Sequence, residues 1–309
     1  MAVELGARLL RPEVLDRKNV ASFTRSGAEP GEPELIPGAE NRHFEGGAVR
    51  VNSLGLRGPE LGERAATRIV AIGDSVTFGF GVAEGEAWPA RLEHALRARG
   101  DDVEVLNAGV SGAGLKGYVS VLRKRCSQLE PDLVVVGLTL NDVAVYPSPG
   151  EEPLRRGPRL AERSHVVGGV EPFLRGAAER EGLASDPTFR LVALGPDSER
   201  KERAWADTAE QLEELLARGE RCGVDLALVV FPVAPQLAED GDARPQQRFA
   251  QLVEEVPLVD LLPAFRAARA EGLYLGSDGT ALDPVHPSAA GHALAGSVVA
   301  EALGTLAAE

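Results

Sequence analysis

The sequence predicts a doubly wound α/β domain, in which helices cover both faces of a mostly parallel sheet. Two observations lead to this fold class. Short runs rich in Val, Ile and Leu recur along the chain and are bounded by Gly, Asp or Pro. Such runs are typical of parallel strands that are buried on both faces. Between most of these runs lie segments with a helical pattern, as expected for crossovers between parallel strands.

The predicted elements begin at residue 68. Strands are expected at 68–72, 103–107, 132–138, 225–231 and 256–261. Helices are expected from Trp88 to Arg99, Gly117 to Leu129, Trp205 to Gly219 and Ser288 to Leu306. Together these elements make a three-layer α/β/α sandwich around a five-stranded, flavodoxin-like sheet. In such sheets ligands bind beyond the carboxyl ends of the strands.

The first part of the chain falls outside this alternation. Residues 1–64 have Pro and Gly clustered at 26–40 and carry too little apolar sequence for a core of their own. Residues 48–52 alternate like a short strand, and a turn is expected at 52–55. We therefore expect a small N-terminal extension that packs on the main domain, residues 65–309.

A second departure is an insertion at residues 146–204. This segment is too long for a crossover and is rich in Pro, Gly and Arg. It follows the carboxyl end of a predicted strand, where substrate-selecting loops occur. We expect a cap over the strand ends, and a disordered surface excursion is the alternative.

The composition excludes some classes of protein. Apolar residues make up 44% of the 309 residues and charged residues 26%, as in ordinary globular proteins. The formal net charge of -14 argues against a nucleic-acid partner, because phosphate binding depends on clustered Lys and Arg. The two cysteines, Cys126 and Cys222, lack metal-type spacing, so we expect no metal or other cofactor. Two free, partly buried thiols are expected, and a disulfide between them is the alternative.

The chain also lacks membrane and export signals. No stretch approaches the length of a transmembrane helix. Residues 1–20 interleave charged and apolar residues and contain no signal-peptide core. We therefore expect a cytoplasmic protein without a membrane span, and secretion stays open for a sequence that has been trimmed.

A nucleophilic serine is indicated at the end of the first predicted strand, in the run Gly73-Asp74-Ser75. Serine is a poor nucleophile at neutral pH and needs a base and a group that orients the base. Ser75 and its own backbone N–H would lie at a strand-to-helix turn, where an oxyanion can bind. The alternative is that Ser75 only caps the following helix. The α/β-hydrolase elbow pattern is absent, because Thr77 stands at its final glycine position.

The base and its orienting group are indicated by Asp283 and His286. A separation of three residues in a turn lets the carboxylate reach the imidazole Nδ1–H and leaves Nε2 facing Ser75. The alternative is a capping device at the start of the last helix, where Ser288 is also a potential cap. His292 is expected to be a packing or surface residue, and both tryptophans, Trp88 and Trp205, are expected in the core.

Four segments together resemble the SGNH (or GDSL) hydrolase superfamily. They are Gly73 to Ser75, Asn107 to Gly112, Thr139 to Asp142 and Asp283 to His286. The resemblance covers roughly residues 66–143 and 205–306. One departure is Thr139, which stands where many members have glycine and is expected to narrow the pocket. The segment Val51 to Gly58 is similar to a lead-in found in some bacterial members, and no role is assigned to it.

The resemblance implies a role for each site residue. Ser75 would be the nucleophile, with Asp283 and His286 completing a triad. The oxyanion donors would be the backbone N–H groups of Ser75 and Gly112 and the side-chain amide of Asn141. The implied function is a carboxylic-ester hydrolase that acts on a small acyl or acetyl ester, with carbohydrate esters among the candidates. An acyltransferase and a non-catalytic binding protein of the same fold are the alternatives, and the oligomeric state is open.

Overall fold

The structure is a computed structural model that describes residues 19–29, 32–143, 197–268, 272–276 and 283–306. Most of the expected insertion at residues 146–204 lies outside the described residues, and so does the start of the expected extension. The cap and the extent of the two domains therefore stay predictions.

Residues 19–58 form a layer of short strands. Strand β1 (Thr24–Ser26) pairs with β2 (Pro33–Leu35), and β3 (Glu40–Asn41) pairs with β4 (Val49–Arg50), both antiparallel. The sequence predicts only the strand around β4, because the others are too short to show an alternating pattern. Phe23 of this layer stacks on Phe78 with ring centres 5.2 Å apart. Phe23 and Leu35 share one hydrophobic core with Val70 of the main domain.

Five parallel strands form the central sheet. They are β5 (Thr67–Gly73), β6 (Val103–Asn107), β7 (Leu133–Leu138), β8 (Asp225–Val230) and β9 (Leu258–Asp260). Their order is β6-β5-β7-β8-β9, and every neighbouring pair is parallel. This is the flavodoxin-like order. The predicted fold class is confirmed, and no predicted strand end is displaced by more than two residues.

Seven α-helices are described around the sheet. They are α1 (Ser75–Phe78), α2 (Trp88–Ala98), α3 (Leu115–Leu129), α4 (Glu199–Cys222), α5 (Arg244–Leu252), α6 (Leu262–Ala267) and α7 (Ala289–Leu306). Helix α4 begins earlier than predicted because Ser198 caps it, its side chain accepting the N–H of Lys201 at 3.2 Å. The sequence does not predict α5 and α6, because helices of nine and six residues show little periodicity.

Strand β5 shows how the three layers are held together. Successive side chains of a strand point to opposite faces of the sheet. Val70 and Ile72 contact the core formed with α3, α4 and the N-terminal layer. Ile69 and Ala71 contact the core formed with α2, α6 and α7. The near-continuous apolar run therefore buries both faces of the sheet, as the sequence indicates.

Two pairs of predicted buried residues can be compared with the structure. Trp88 and Trp205 are both fully buried, which confirms their expected place in the core. Cys126 and Cys222 are free and partly buried, as predicted. Burial, aided by the neighbouring Cys222 thiol, raises the pKa of Cys126 to about 12, so this group stays a thiol at neutral pH.

Among the described helices, none has the length and apolar character needed to cross a membrane.

Replacing Phe23 by alanine tests whether the N-terminal layer and the sheet share one core. Phe23 is fully buried and its ring contacts Phe44 and Phe78. Removing a buried phenylalanine ring costs about 3–5 kcal/mol of unfolding free energy. Denaturant unfolding should therefore show one transition, shifted to lower denaturant concentration. Tryptophan fluorescence is a suitable probe, because both tryptophans lie in the main domain.

The matched control for this experiment is Arg25→Ala, on β1 two residues after Phe23. Arg25 is exposed, and its ion pair with Glu34 joins side chains that are 57% and 25% exposed. Losing such a pair changes the unfolding free energy by less than about 1 kcal/mol. A tryptophan transition that Phe23→Ala does not move would mean that the layer unfolds separately from the sheet.

Candidate active site

Ser75 lies where β5 ends and α1 begins. The cap of α1 is Asp74, whose Oδ1 accepts the N–H of Val76 at 2.8 Å. Ser75 is thus the first residue of the helix and not its cap, so the capping alternative is wrong. Glycine is required at position 73, because a Cβ there would lie 2.8 Å from the carbonyl oxygen of Gly137. The half-buried Ser75 side chain stands at the carboxyl edge of the sheet.

The loop after β6 runs beside the end of β5. The N–H of Ala108 donates to the carbonyl of Ala71 at 2.8 Å, and that of Val110 donates to Gly73 at 3.0 Å. Gly112, farther along this loop, has a φ of 82° and is exposed. The two hydrogen bonds place the loop that carries Gly112 next to the strand that ends at Ser75.

Asn141 is tied to the serine segment through Asp74. Its Nδ2 donates to Asp74 Oδ2 at 2.9 Å, and the Thr139 hydroxyl contacts its Oδ1. An amide has two N–H donors, and a second partner of Nδ2 is not found among the described residues. Thr139 is only 1% exposed, with its hydroxyl 3.1 Å from Asp74 Oδ2. Its side chain therefore contacts the Asn141 amide and does not project into an open pocket. This differs from the expectation that Thr139 narrows the pocket.

His286 connects Ser75 to Asp283. Its Nε2 lies 2.8 Å from Ser75 Oγ, and its Nδ1 lies 2.8 Å from Asp283 Oδ2. Oδ1 of Asp283 accepts the backbone N–H groups of Val285 and His286, both at 3.0 Å. The carboxylate is thus fixed by its own turn. Ser288 Oγ accepts the N–H of Gly291 at the start of α7, so Asp283 and His286 are not needed as caps.

The comparison with known proteins identifies the family of this chain. The sequence profile of the GDSL-like Lipase/Acylhydrolase family matches residues 71–294, which is more than half of the chain. This chain belongs to that family. The resemblance seen in the four sequence blocks is therefore confirmed. The N-terminal layer at residues 19–58 lies before the matched segment.

Curated and solved relatives of this GDSL-like protein carry esterase names. An arylesterase of Vibrio mimicus is 33% identical over 79 residues, which are 26% of this chain and 40% of that protein. Esterase TesA of Pseudomonas aeruginosa is 32% identical over 80 residues, with the same two shares. The chain thus spans less than half the length of these relatives. The solved esterase EstA from Pseudoalteromonas sp. is 16% identical, with a TM-score of 0.48, over 79% of this chain and 100% of that one.

In this family member, the histidine and the aspartate of the site shift each other's pKa. Burial of the imidazole lowers the pKa of His286, but the hydrogen bond and charge of Asp283 outweigh it, so the pKa is raised above 6.5. Burial raises the pKa of Asp283, but the hydrogen bond and charge of His286 outweigh it and lower the pKa. The pair therefore favours a protonated imidazole beside a carboxylate, which is the state that a general base must reach.

A second buried carboxylate lies behind Asn141. Asp142 Oδ1 accepts the hydroxyl of Tyr118 at 2.7 Å, and Oδ2 accepts the N–H of Thr139 at 2.8 Å. Burial, together with the charge of Asp74, raises the pKa of Asp142 well above its usual range. These bonds fix the short turn that presents Asn141 to the serine.

Sequence reasoning missed several residues that shape the site. The Phe80 ring lies 4.7 Å from the His286 ring, centre to centre, and Phe44 packs edge-on against Phe80 at 5.3 Å. No periodic pattern marks Phe80, although it follows the serine segment directly. The sequence could have indicated that Asp74 caps α1. Aspartate is a preferred N-cap, and its side chain accepts the N–H of a residue two or three positions later. His292 is fully buried, so it is a packing residue and not a surface residue. Burial lowers its pKa to about 3.

The pKa of His286 should fall when Asp283 is replaced by asparagine. The substitution removes the carboxylate that raises the pKa and leaves the burial that lowers it. Titration of the imidazole by NMR should give a lower midpoint in Asp283→Asn than in the parent. Asp101→Asn removes an exposed carboxylate near the amino end of β6, at the opposite edge of the sheet. This control should leave the His286 midpoint unchanged. Equal midpoints in Asp283→Asn and the parent would contradict the assigned coupling.

Proposed function

We propose that this protein is a serine esterase that hydrolyses carboxylic esters of small acyl groups through an acyl-serine intermediate. The observation that carries the proposal is the continuous hydrogen-bonded line from Asp283 through His286 to Ser75, with both distances at 2.8 Å. Membership of an acylhydrolase family and the esterase names of the curated relatives support it.

The first half of the reaction forms the acyl-enzyme. Because Nδ1–H of His286 donates to Asp283, Nε2 is free to accept the proton of the Ser75 hydroxyl. The serine oxygen attacks the ester carbonyl, and the imidazolium that forms is stabilised by the Asp283 carboxylate. His286 then gives the proton to the leaving alcohol. Water repeats the sequence in the second half and releases the acid.

The negative charge of the tetrahedral intermediate needs hydrogen-bond donors. In this proposal they are the backbone N–H groups of Ser75 and Gly112 and the second amide hydrogen of Asn141. The donor at Asn141 is already oriented, because its amide contacts Asp74 and Thr139 before substrate binds. Donors that are fixed in advance stabilise the transition state without reorganisation.

Replacing Ser75 by alanine should abolish hydrolysis of a p-nitrophenyl ester without unfolding the protein. Ser75 is half-buried and is not the cap of α1, so its hydroxyl should contribute little to the stability of the fold. Ser127, an exposed serine on α3, gives the control Ser127→Ala, which should keep parental activity. Equal turnover by Ser75→Ala and the parent would remove Ser75 from its role. Added alcohols that become acylated in place of water would indicate an acyltransferase.

Replacing Asn141 by alanine should lower kcat by about 10²–10³-fold, the usual effect of losing one oxyanion donor. KM should change much less, because the interaction forms mainly in the transition state. The side chain is exposed, so the protein should stay folded. Asn141→Asp keeps the shape but replaces the donor by an acceptor, and it should be at least as damaging. A parental kcat in Asn141→Ala would exclude the amide from the reaction.

A further inference from the structure

We propose that Arg57 is a positioning residue that fixes the backbone turn carrying Ser75, an inference that rests on the function proposed above. Arg57 belongs to the segment Val51 to Gly58, to which the sequence assigns no role. This segment also lies before the part of the chain that matches the family profile.

The segment folds into a tight loop that brings Arg57 to the sheet. Asn52 Oδ1 accepts the N–H groups of Leu54 and Leu56, both at 3.0 Å, and so closes the loop. The backbone N–H of Arg57 then donates to the carbonyl of Asn107 at 3.0 Å. Arg57 therefore lies in register with the last residue of β6, at the carboxyl edge where the candidate active site is built.

The Arg57 guanidinium is buried against the carbonyl oxygens that follow Ser75. Nη1 donates to the carbonyl of Phe78 and, at 2.7 Å, to that of Gly79. Nη2 donates to the carbonyl of Val82 at 2.8 Å. The side chain is 4% exposed, with its Cζ 4.5 Å from the centre of the Phe78 ring. A planar guanidinium can hold three diverging carbonyls at once, which a lysine ammonium cannot do with the same geometry.

The carbonyls at the end of α1 need outside partners because α1 is a single turn. A helix leaves its last four carbonyls without a partner inside the helix, and α1 has four residues. The side-chain amide of Asn107 donates to the carbonyls of Thr77 at 3.0 Å and Phe78 at 3.2 Å. Arg57 shares the Phe78 carbonyl and also binds that of Gly79. Ser75 stands at the other end of the same turn, only about 6 Å along the helix axis. Contacts at one end of this turn therefore set the position of the serine at the other.

The charge of Arg57 is held by carbonyl dipoles. Within the described residues no carboxylate forms a salt bridge with it, and Glu84, whose charge reaches it, is paired with Arg50 at 2.9 Å. Burial lowers the pKa of Arg57 to about 10, so the group stays charged at neutral pH. A buried cation is costly unless its hydrogen bonds are satisfied. The carbonyls of Phe78, Gly79 and Val82 satisfy its two terminal nitrogens, and Nε has no partner among the described residues. Arg57 thus shares with Asn107 the task of holding the turn after Ser75.

Gly79 leaves the space that the guanidinium occupies. A Cβ at this position would lie 2.7 Å from Arg57 Nη1 and 2.6 Å from the Cβ of Ala87. Gly79 also has a φ of 87°, which side chains disfavour. The glycine at position 79 therefore leaves room for the Arg57 guanidinium beside the turn.

The test uses Arg57→Lys, which keeps the charge without the planar fork, and Arg57→Ala, which removes both. In each, kcat for a p-nitrophenyl ester should fall about 10–100-fold with KM within about twofold of the parent, because a displaced nucleophile loses alignment and not binding. Millimolar guanidinium chloride should restore part of the kcat of Arg57→Ala. Sodium chloride at the same concentration should not.

The matched control is Leu215→Ala, at a fully buried position on α4. It should lower the melting temperature without changing kcat below the melting range, which separates lost stability from a misplaced serine. The ¹⁵N chemical shift of His286 Nε2 reports its contact with Ser75 without any turnover. That shift should change in both Arg57 variants and stay parental in Leu215→Ala.

Two results would overturn the proposal: parental kcat in both Arg57 variants, or a His286 Nε2 shift that stays parental in both. Failure of the esterase proposal looks different, because the parent itself would then show neither turnover nor labelling by a serine-directed phosphonate. In that case the Nε2 shifts alone still decide whether Arg57 positions the serine turn.

Discussion

The buried carboxylate of Asp74 joins the parts of the candidate active site that come from different strands. One oxygen caps α1 and so fixes the backbone at Ser75, and the other accepts the amide of Asn141 from beyond β7. Burying a polar group is costly unless it is hydrogen-bonded, so both oxygens of Asp74 depend on these donors. The serine and the amide are therefore held in one arrangement before any substrate arrives, which is the condition for electrostatic stabilisation of a transition state.

The fold and the central site residues could be predicted because each depends on local sequence. Val70 and Ile69 lie in a run that is apolar on both faces, and this pattern alone indicates a buried parallel strand. Ser75, Asn141 and His286 follow strands or precede a helix, so topology brings them to one edge. The short strands β1 to β3 could not be predicted, since their pairing depends on tertiary contacts of two or three residues. The sequence did not identify Phe80 and Arg57 as part of the site for the same reason, because their partners are distant in sequence.

The N-terminal layer contributes to the site as well as to the core. Phe44 packs on Phe80, which lies against the His286 ring, and Arg57 binds the carbonyls that follow Ser75. Both contacts come from residues before the family match. In the proposed function, the family's segments would supply the reacting groups, and this layer contacts the serine turn and the imidazole. We expect a chain without the layer to retain every predicted catalytic residue and to lose part of their alignment.

The central claim is that Ser75 is the activated nucleophile, and covalent labelling tests it most directly. The protein would be treated with an alkylphosphonate that carries a p-nitrophenol leaving group, and the modified residue located by mass spectrometry of peptides. We expect one phosphonyl adduct per chain, on Ser75, with release of one equivalent of p-nitrophenolate. An adduct on a different residue, or no adduct on a folded protein, would contradict it.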